Sequence, residues 1–318
     1  MRMEDKTVLV TGGHGFLGRH LCRILRQEWH ATVISPSHDD FDLTDLSQTW
    51  ELLAGDCVFD TVFHCAGYNG GIFFNLRHGW DIFQINTRMA LNLIQVCASL
   101  PSIGKKAPRV VGVVASCAYG DTAEGILREG EFFRGLPHES VLGHGLAKRN
   151  LQLACRLAHE QQGLQAVCVC PPTLVGPGDS FDLERTKVAA ALVRRFVDAQ
   201  QGNLPGVTLP GTGLALREFL HVEDAARLLI LAALCYDNPY FPLNLPGEEI
   251  SIRDLAELIA DLVGYEGEIG WDTSRPDGQR RKRMDASEAL RRGVSLNHPT
   301  PLVESLRQTI AWYRNHGG

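Results

Sequence analysis

The chain has 318 residues, 44% hydrophobic and 21% charged, enough for one large or two fused globular domains and far from a disordered composition. A net charge of -6 and a pI near 6.1 provide no broad basic field, which excludes duplex nucleic acid and anionic membrane surfaces as partners. No run approaches the ~18 uninterrupted apolar residues of a spanning helix, and the opening segment to Lys6 leads into a strand-like run instead of a signal peptide's apolar core, so a cytoplasmic location is expected.

Short β-branched runs alternate with longer helical patterns through the first half, the sign of a parallel sheet with crossover helices. Residues 7–10 read as the first strand, followed by a glycine-rich turn and a helix over 17–27. Strands follow at 31–35 and 61–65, then a long helix over 80–99, a buried strand at 110–115, a helix over 147–162 and a strand at 165–170. The plan is a doubly wound α/β fold. After Pro171 the pattern loosens. Pro171-Pro172 and Gly176-Pro177-Gly178 separate a helix over 188–200 from short extended pieces, and 219–233 again reads as strand plus sheet-covering helix. The expected division is therefore a first domain over 1–170, to which 215–235 returns, and a smaller α/β substrate domain formed mainly by 171–318. The nine cysteines are odd in number and never form a CxxC pair, so they read as reduced thiols, with Cys168 and Cys170 on one face of a buried strand.

Thr11-Gly12-Gly13-His14-Gly15-Phe16-Leu17-Gly18 follows a strand and opens a helix, the context of a dinucleotide-binding (Rossmann-type) turn. Gly12 permits the tight turn, Gly15 lets the backbone approach a pyrophosphate, and Gly18 allows close helix–strand packing, with the helix N-terminus facing the phosphates. His14, Phe16 and Leu17 lie within that turn, and Asp42-Leu43 are placed to hold an adenine. The second strand ends in Ser35-Pro36-Ser37-His38, with no Asp or Glu for a ribose diol and no Arg for a 2′-phosphate. NADP therefore ranks above NAD, and loss of both stays open.

These residues resemble the extended short-chain dehydrogenase/reductase family, also described as NAD-dependent epimerases/dehydratases, and within it the epimerase–reductases of GDP-4-keto-6-deoxymannose, the GDP-L-fucose synthases. The resemblance runs through Ala66-Gly67-Tyr68-Asn69-Gly70-Gly71-Ile72, Ser116-Cys117-Ala118-Tyr119, Leu192-Val193-Arg194-Arg195-Phe196, Arg217-Glu218-Phe219-Leu220-His221-Val222 and 275–282, nearly the whole chain. It implies a GDP-sugar substrate, NADP, and a homodimer joined through a helix bundle.

The family's redox centre uses Ser, Tyr and Lys. Here the Tyr-x-x-x-Lys site reads His144-Gly-Leu-Ala-Lys148, and the serine position is Ala115, with Ser116 beside it. A general acid or base is worth ~10² to 10⁴-fold, so other groups must substitute for an ordinary reductase to work. His144 reads either as a replacement, titrating near neutrality with Lys148 on the same helical face lowering its pKa, or as a helix-start residue in a relic site where Gly143 and Gly145 merely loosen the backbone. Cys117 matches the family's epimerisation cysteine and reads equally as a small buried residue at a strand end. The cysteine's partner histidine falls at Lys187. Arg195 and Arg217 match diphosphate- and sugar-contacting arginines, and Lys282 or Arg281 is placed to close over the nucleotide; the run 280–283 reads alternatively as a solvated basic face. The segment 127–140 departs most from the family and is expected to shape specificity.

Retained binding arginines beside a rewritten acid–base set favour a GDP-hexose isomerase without net redox, acting by epimerisation or as a pyranose–furanose mutase, with a divalent ion (magnesium or manganese) on the diphosphate supplying electrophilic help. The alternatives are an NADP-dependent GDP-4-keto-6-deoxyhexose epimerase–reductase with His144 in the tyrosine's role, and a catalytically silent GDP-sugar binding subunit.

Overall fold

A computed structural model describes residues 3–121, 125–182, 184–275 and 279–316. Six strands form the main sheet in the order Thr32–Ile34, Thr7–Thr11, Thr61–His64, Arg109–Val113, Ala166–Cys170 and Leu243–Asn244, every neighbouring pair parallel. The period-2 alternation of these strands divides the core into two layers. Val8, Val10, Phe63, Val111, Val167 and Val169 face the helices Phe16–Gln27 and Val222–Cys235. Leu9, Val62, Val110, Cys168 and Cys170 face Leu46–Ala54, Gly79–Ser99 and Leu142–Gln162. Cys168 and Cys170 thus share a face, and all nine cysteines are free thiols.

Most expected elements form within a few residues of their reading. The helix expected from 147 begins at Leu142, which places His144 in its first turn. Gly143 and Gly145 masked this start, because glycine is a poor helix former. Both are demanded by close packing instead. A Cβ on Gly143 would overlap Gly79 O, and one on Gly145 would lie 2.8 Å from Cys117 O. Leu243–Asn244, too short to announce itself, closes the sheet's far edge.

The second sheet joins Glu248–Ser251, Leu216–His221, Arg281–Met284 and Ile126–Leu127, with Thr173–Val175 also pairing with Leu216–His221. Gly206–Pro210 pairs with Glu268–Asp272. A third core cluster lies among the helices Val188–Gln201, Ile252–Val263 and Leu302–His316. Among the described residues no helix is long and apolar enough to cross a membrane.

Candidate active site

The order of the main sheet reverses between Thr7–Thr11 and Thr61–His64, and ligands of open α/β sheets bind beyond the carboxyl ends of strands at such a switch point. The glycine turn lies there. Gly12 has φ +69°, and a Cβ on it would sit 2.6 Å from the backbone of Ala66, just past the neighbouring strand. A Cβ on Gly18 would overlap Gly12 O, so helix and turn touch through bare backbone. Gly15 is the N-cap of Phe16–Gln27 and supplies no side-chain cap, and the first turn carries no acidic residue. The first amides of this helix are left for an anion. Beside them lies a cavity of about 220 Å³ lined by Gly12, His14, Ser37, His38, Phe41, Leu43, Ala66 and Met89 among others. The cradle and the apolar cavity fit an adenine dinucleotide. Leu43 lines the cavity, whereas the Asp42 carboxylate accepts from Thr44 N at 2.8 Å and is not part of the lining.

Further along the sheet's carboxyl edge, the structure brings Cys117, His144, Lys148, Lys187 and Lys282 together. Lys148 donates from Nζ to Val113 O at 2.8 Å, and burial lowers its pKa. Burial also drives the pKa of His144 well below 6.5, with Lys148, Lys187 and Lys282 acting in the same direction. The near-neutral titration expected from Lys148 alone is therefore corrected: burial is the larger cause, and the ring is neutral at physiological pH. Burial raises the Cys117 thiol, opposed by Lys282, Lys187 and Lys148. Ser116 sits beside Cys117 in the short turn Ser116–Ala118, which Arg149 holds by donating to Ala118 O at 2.6 Å. Tyr119 is buried and donates to Asn244 Oδ1 at 2.8 Å, so its hydroxyl is a structural tie to the edge strand.

Three asparagines to which the sequence assigned no role, Asn69 in the glycine loop among them, build the loop opposite His144. Asn86 accepts from Tyr68 N at 2.9 Å and donates to Tyr68 O at 2.8 Å, pinning 67–71 to the helix Gly79–Ser99. Asn69 Nδ2 lies 3.3 Å from His144 Nε2. Asn75 Nδ2 donates to Asn69 Oδ1 at 3.1 Å and to Gly70 O at 2.7 Å. The only signal in the sequence is their density near a glycine loop. The guanidinium of Arg185 lies 5.6 Å from the ring centre of Tyr68 and 5.2 Å from that of Phe74, which seats the segment leading to Lys187 on this loop. Lys187 is the N-cap of Val188–Gln201.

The basic run is not a uniform solvated face. Arg281 is held by Glu249 through two bonds of 2.8 and 2.7 Å. Lys282, the next residue, turns toward Cys117, Arg217 and Asp121, and burial lowers its pKa. Arg217 pairs with it across the strands. Arg195 is exposed on its helix and donates to Thr208 O at 3.4 Å, away from the contacts just described. The centre of the motif at 275–282, residues 276–278, lies outside the described residues. No group of three or more His, Cys, Asp or Glu side chains that could hold a metal occurs among the described residues, which therefore lend no support to the divalent ion expected on the diphosphate.

The glycine cradle at the switch point, joined to a lysine-bearing helix beside a cysteine turn, is the arrangement of an enzyme of the short-chain dehydrogenase/reductase type. The chain belongs to the NAD dependent epimerase/dehydratase family, whose model it matches over residues 8–240. It is 31% identical over 306 residues to a probable GDP-L-fucose synthase 1 of Oryza sativa subsp. japonica, covering 96% of this chain and 91% of that protein. It is 28% identical to GDP-L-fucose synthase of Escherichia coli strain K12, covering 98% and 97%. A crystal structure of a GDP-L-fucose synthetase from Naegleria fowleri bound to NADP superposes with a TM-score of 0.86 at 26% identity, covering 99% and 95%. The relatives at about 30% identity are named as synthases, which moves the isomerase reading to second place.

Proposed function

We propose that the protein is an NADP-dependent epimerase–reductase of a GDP-4-keto-6-deoxyhexose. The observation that supports this best is the joining of an intact dinucleotide cradle to a cluster in which His144 stands four residues before Lys148, and Lys148, Lys187 and Lys282 act on both His144 and Cys117. Gly12, Gly15 and the first turn of Phe16–Gln27 hold the cofactor's pyrophosphate, Leu43 and Met89 its adenine, and Ser37, His14 and His38 the ribose end. NADPH, when bound, supplies hydride for a ketone. Cys117 removes a proton from carbon beside that ketone, a task its three lysine neighbours assist by favouring the thiolate. Lys187 returns a proton on the opposite face. His144 and Ser116 hydrogen-bond the ketone oxygen, and the Lys148 ammonium stabilises the charge that develops there and gives the proton that completes the hydroxyl. Arg217 and Lys282 bind the sugar diphosphate. Residues 1–170 with 215–235 serve as the cofactor unit and 171–318 mainly as the sugar-nucleotide unit.

A second reading is supported by the histidine at 144 and the alanine at 115: epimerisation at carbons beside an existing ketone, with no hydride transferred. Incubation with GDP-4-keto-6-deoxymannose and NADPH in deuterated water separates the two. The proposal expects NADPH consumption together with solvent deuterium in the sugar. Deuterium uptake with NADPH untouched selects the second reading, and an unchanged sugar defeats both.

A further inference from the structure

We propose that Asn69 is a positioning residue that fixes the tautomer of His144, keeping the proton on Nδ1 and reserving that N–H for an oxygen of the bound sugar. The inference deepens the proposed function and takes its site from that reading. It starts at Asn75, whose Nδ2 lies 3.1 Å from Asn69 Oδ1, 2.7 Å from Gly70 O and 2.9 Å from Gly71 O. Only a donor fits among three oxygens. Asn69 Oδ1 therefore accepts from Asn75, and it also accepts from Gly70 N at 2.8 Å. Turning the Asn69 amide over would set its NH₂ against two donors. Its Nδ2 must face His144 Nε2, 3.3 Å away, and an amide nitrogen can only donate.

Nε2 is thereby the accepting nitrogen. An imidazolium would oppose two N–H groups across this contact, and burial with Lys148, Lys187 and Lys282 around the ring disfavours that charge as well. The neutral ring then carries its proton on Nδ1. That atom is buried and has no hydrogen-bond partner among the described residues, and a buried donor left without an acceptor is costly. A ligand oxygen relieves the cost. His144 so held is a donor to the substrate oxygen, and its lone pair is engaged by Asn69 and withdrawn from proton abstraction.

The test is ¹⁵N–¹H correlation of the full-length protein with labelled histidines, His144 being identified by the signal lost in His144→Gln. The expected spectrum shows a protonated Nδ1 and a bare Nε2 from about pH 8 down to about pH 6. Asn69→Asp replaces the donor by a carboxylate, which can only accept, so the proton moves to Nε2 and the ring titrates at higher pH. Asn75→Ala frees the Asn69 amide and yields a mixture of tautomers, which serves if the first variant fails to fold. A wild-type ring protonated on Nε2, or a tautomer unmoved by Asn69→Asp, overturns the proposal. The readout needs no substrate. Absence of epimerase or reductase turnover with the expected tautomer defeats the proposed function alone, while the wrong tautomer in an active enzyme defeats this inference alone.

Discussion

At Cys117 burial and charge act against each other, whereas at His144 they act together, and the outcome sets what each residue can do. Burial raises the Cys117 thiol while Lys282, Lys187 and Lys148 partly pull it back, so the resting group is a thiol whose ionisation the neighbouring cations ease. Cys117→Ala is expected to slow solvent deuterium uptake into the sugar by ~10² to 10⁴-fold, followed by NMR. NADPH binding, measured by calorimetry, should be unchanged in that variant. For His144 the same lysines and burial both oppose the charged form, so it stays neutral from alkaline pH to below 6.5. The pH profile of deuterium uptake is therefore expected to show no descending limb from His144 near 6.5. Such a limb abolished in His144→Gln would show that the ring gains its proton there.

Among the elements, the strand Leu216–His221 carries the most consequential conflict. Glu218 is buried and accepts from Met284 N at 2.8 Å, tying its strand to the one that carries Lys282. Burial pushes its pKa from 4.5 up to about 7, with Glu249 adding to the rise and the Met284 amide opposing it. A folded pKa above the unfolded one contributes stability that is complete below pH 4.5 and is lost as pH rises through about 7. Glu218→Gln keeps an acceptor and removes the charge. Its urea midpoint should exceed that of the wild type at about pH 8 and match it at about pH 4. Equal midpoints at both would refute the burial penalty. Buried His64, lowered to about 3, acts with opposite sign as pH falls, and comparing variant with wild type at each pH isolates Glu218. Much at this scale was legible beforehand. β-branched runs and a glycine turn specify strands and cradle because local pattern and tertiary role agree there. The start of Leu142–Gln162 was hidden because its glycines answer to Gly79 and Cys117, partners remote in sequence. The Asn69–Asn75 network was hidden for the same reason: what an asparagine does depends on which groups the fold sets opposite it. Arg281 and Lys282 looked alike in the chain, and only strand pairing separates the one held by Glu249 from the one turned toward Cys117.

On the scale of the whole molecule, the helices Gly79–Ser99 and Leu142–Gln162 pack side by side yet leave Trp80 at 71% exposure, with Leu91, Leu153 and Leu157 also exposed. Leu153 and Leu157 stand at i, i+4 on one face. We propose that a second copy covers this face and completes a helix bundle. Leu153→Glu with Leu157→Glu is expected to halve the mass seen by light scattering, and a wild-type monomer would contradict the assignment. His144 and Lys148 lie on the same helix, Leu142–Gln162, as Leu153 and Leu157. We propose that this rewritten cluster still serves hydride chemistry. Its most direct test is transfer from NADPH deuterated at the reactive carbon of the nicotinamide, with GDP-4-keto-6-deoxymannose in ordinary water and the product read by mass spectrometry and NMR. One deuterium is expected on the former ketone carbon of the sugar; a product altered beside the ketone but carrying no cofactor deuterium would overturn the assignment of hydride transfer to this cluster.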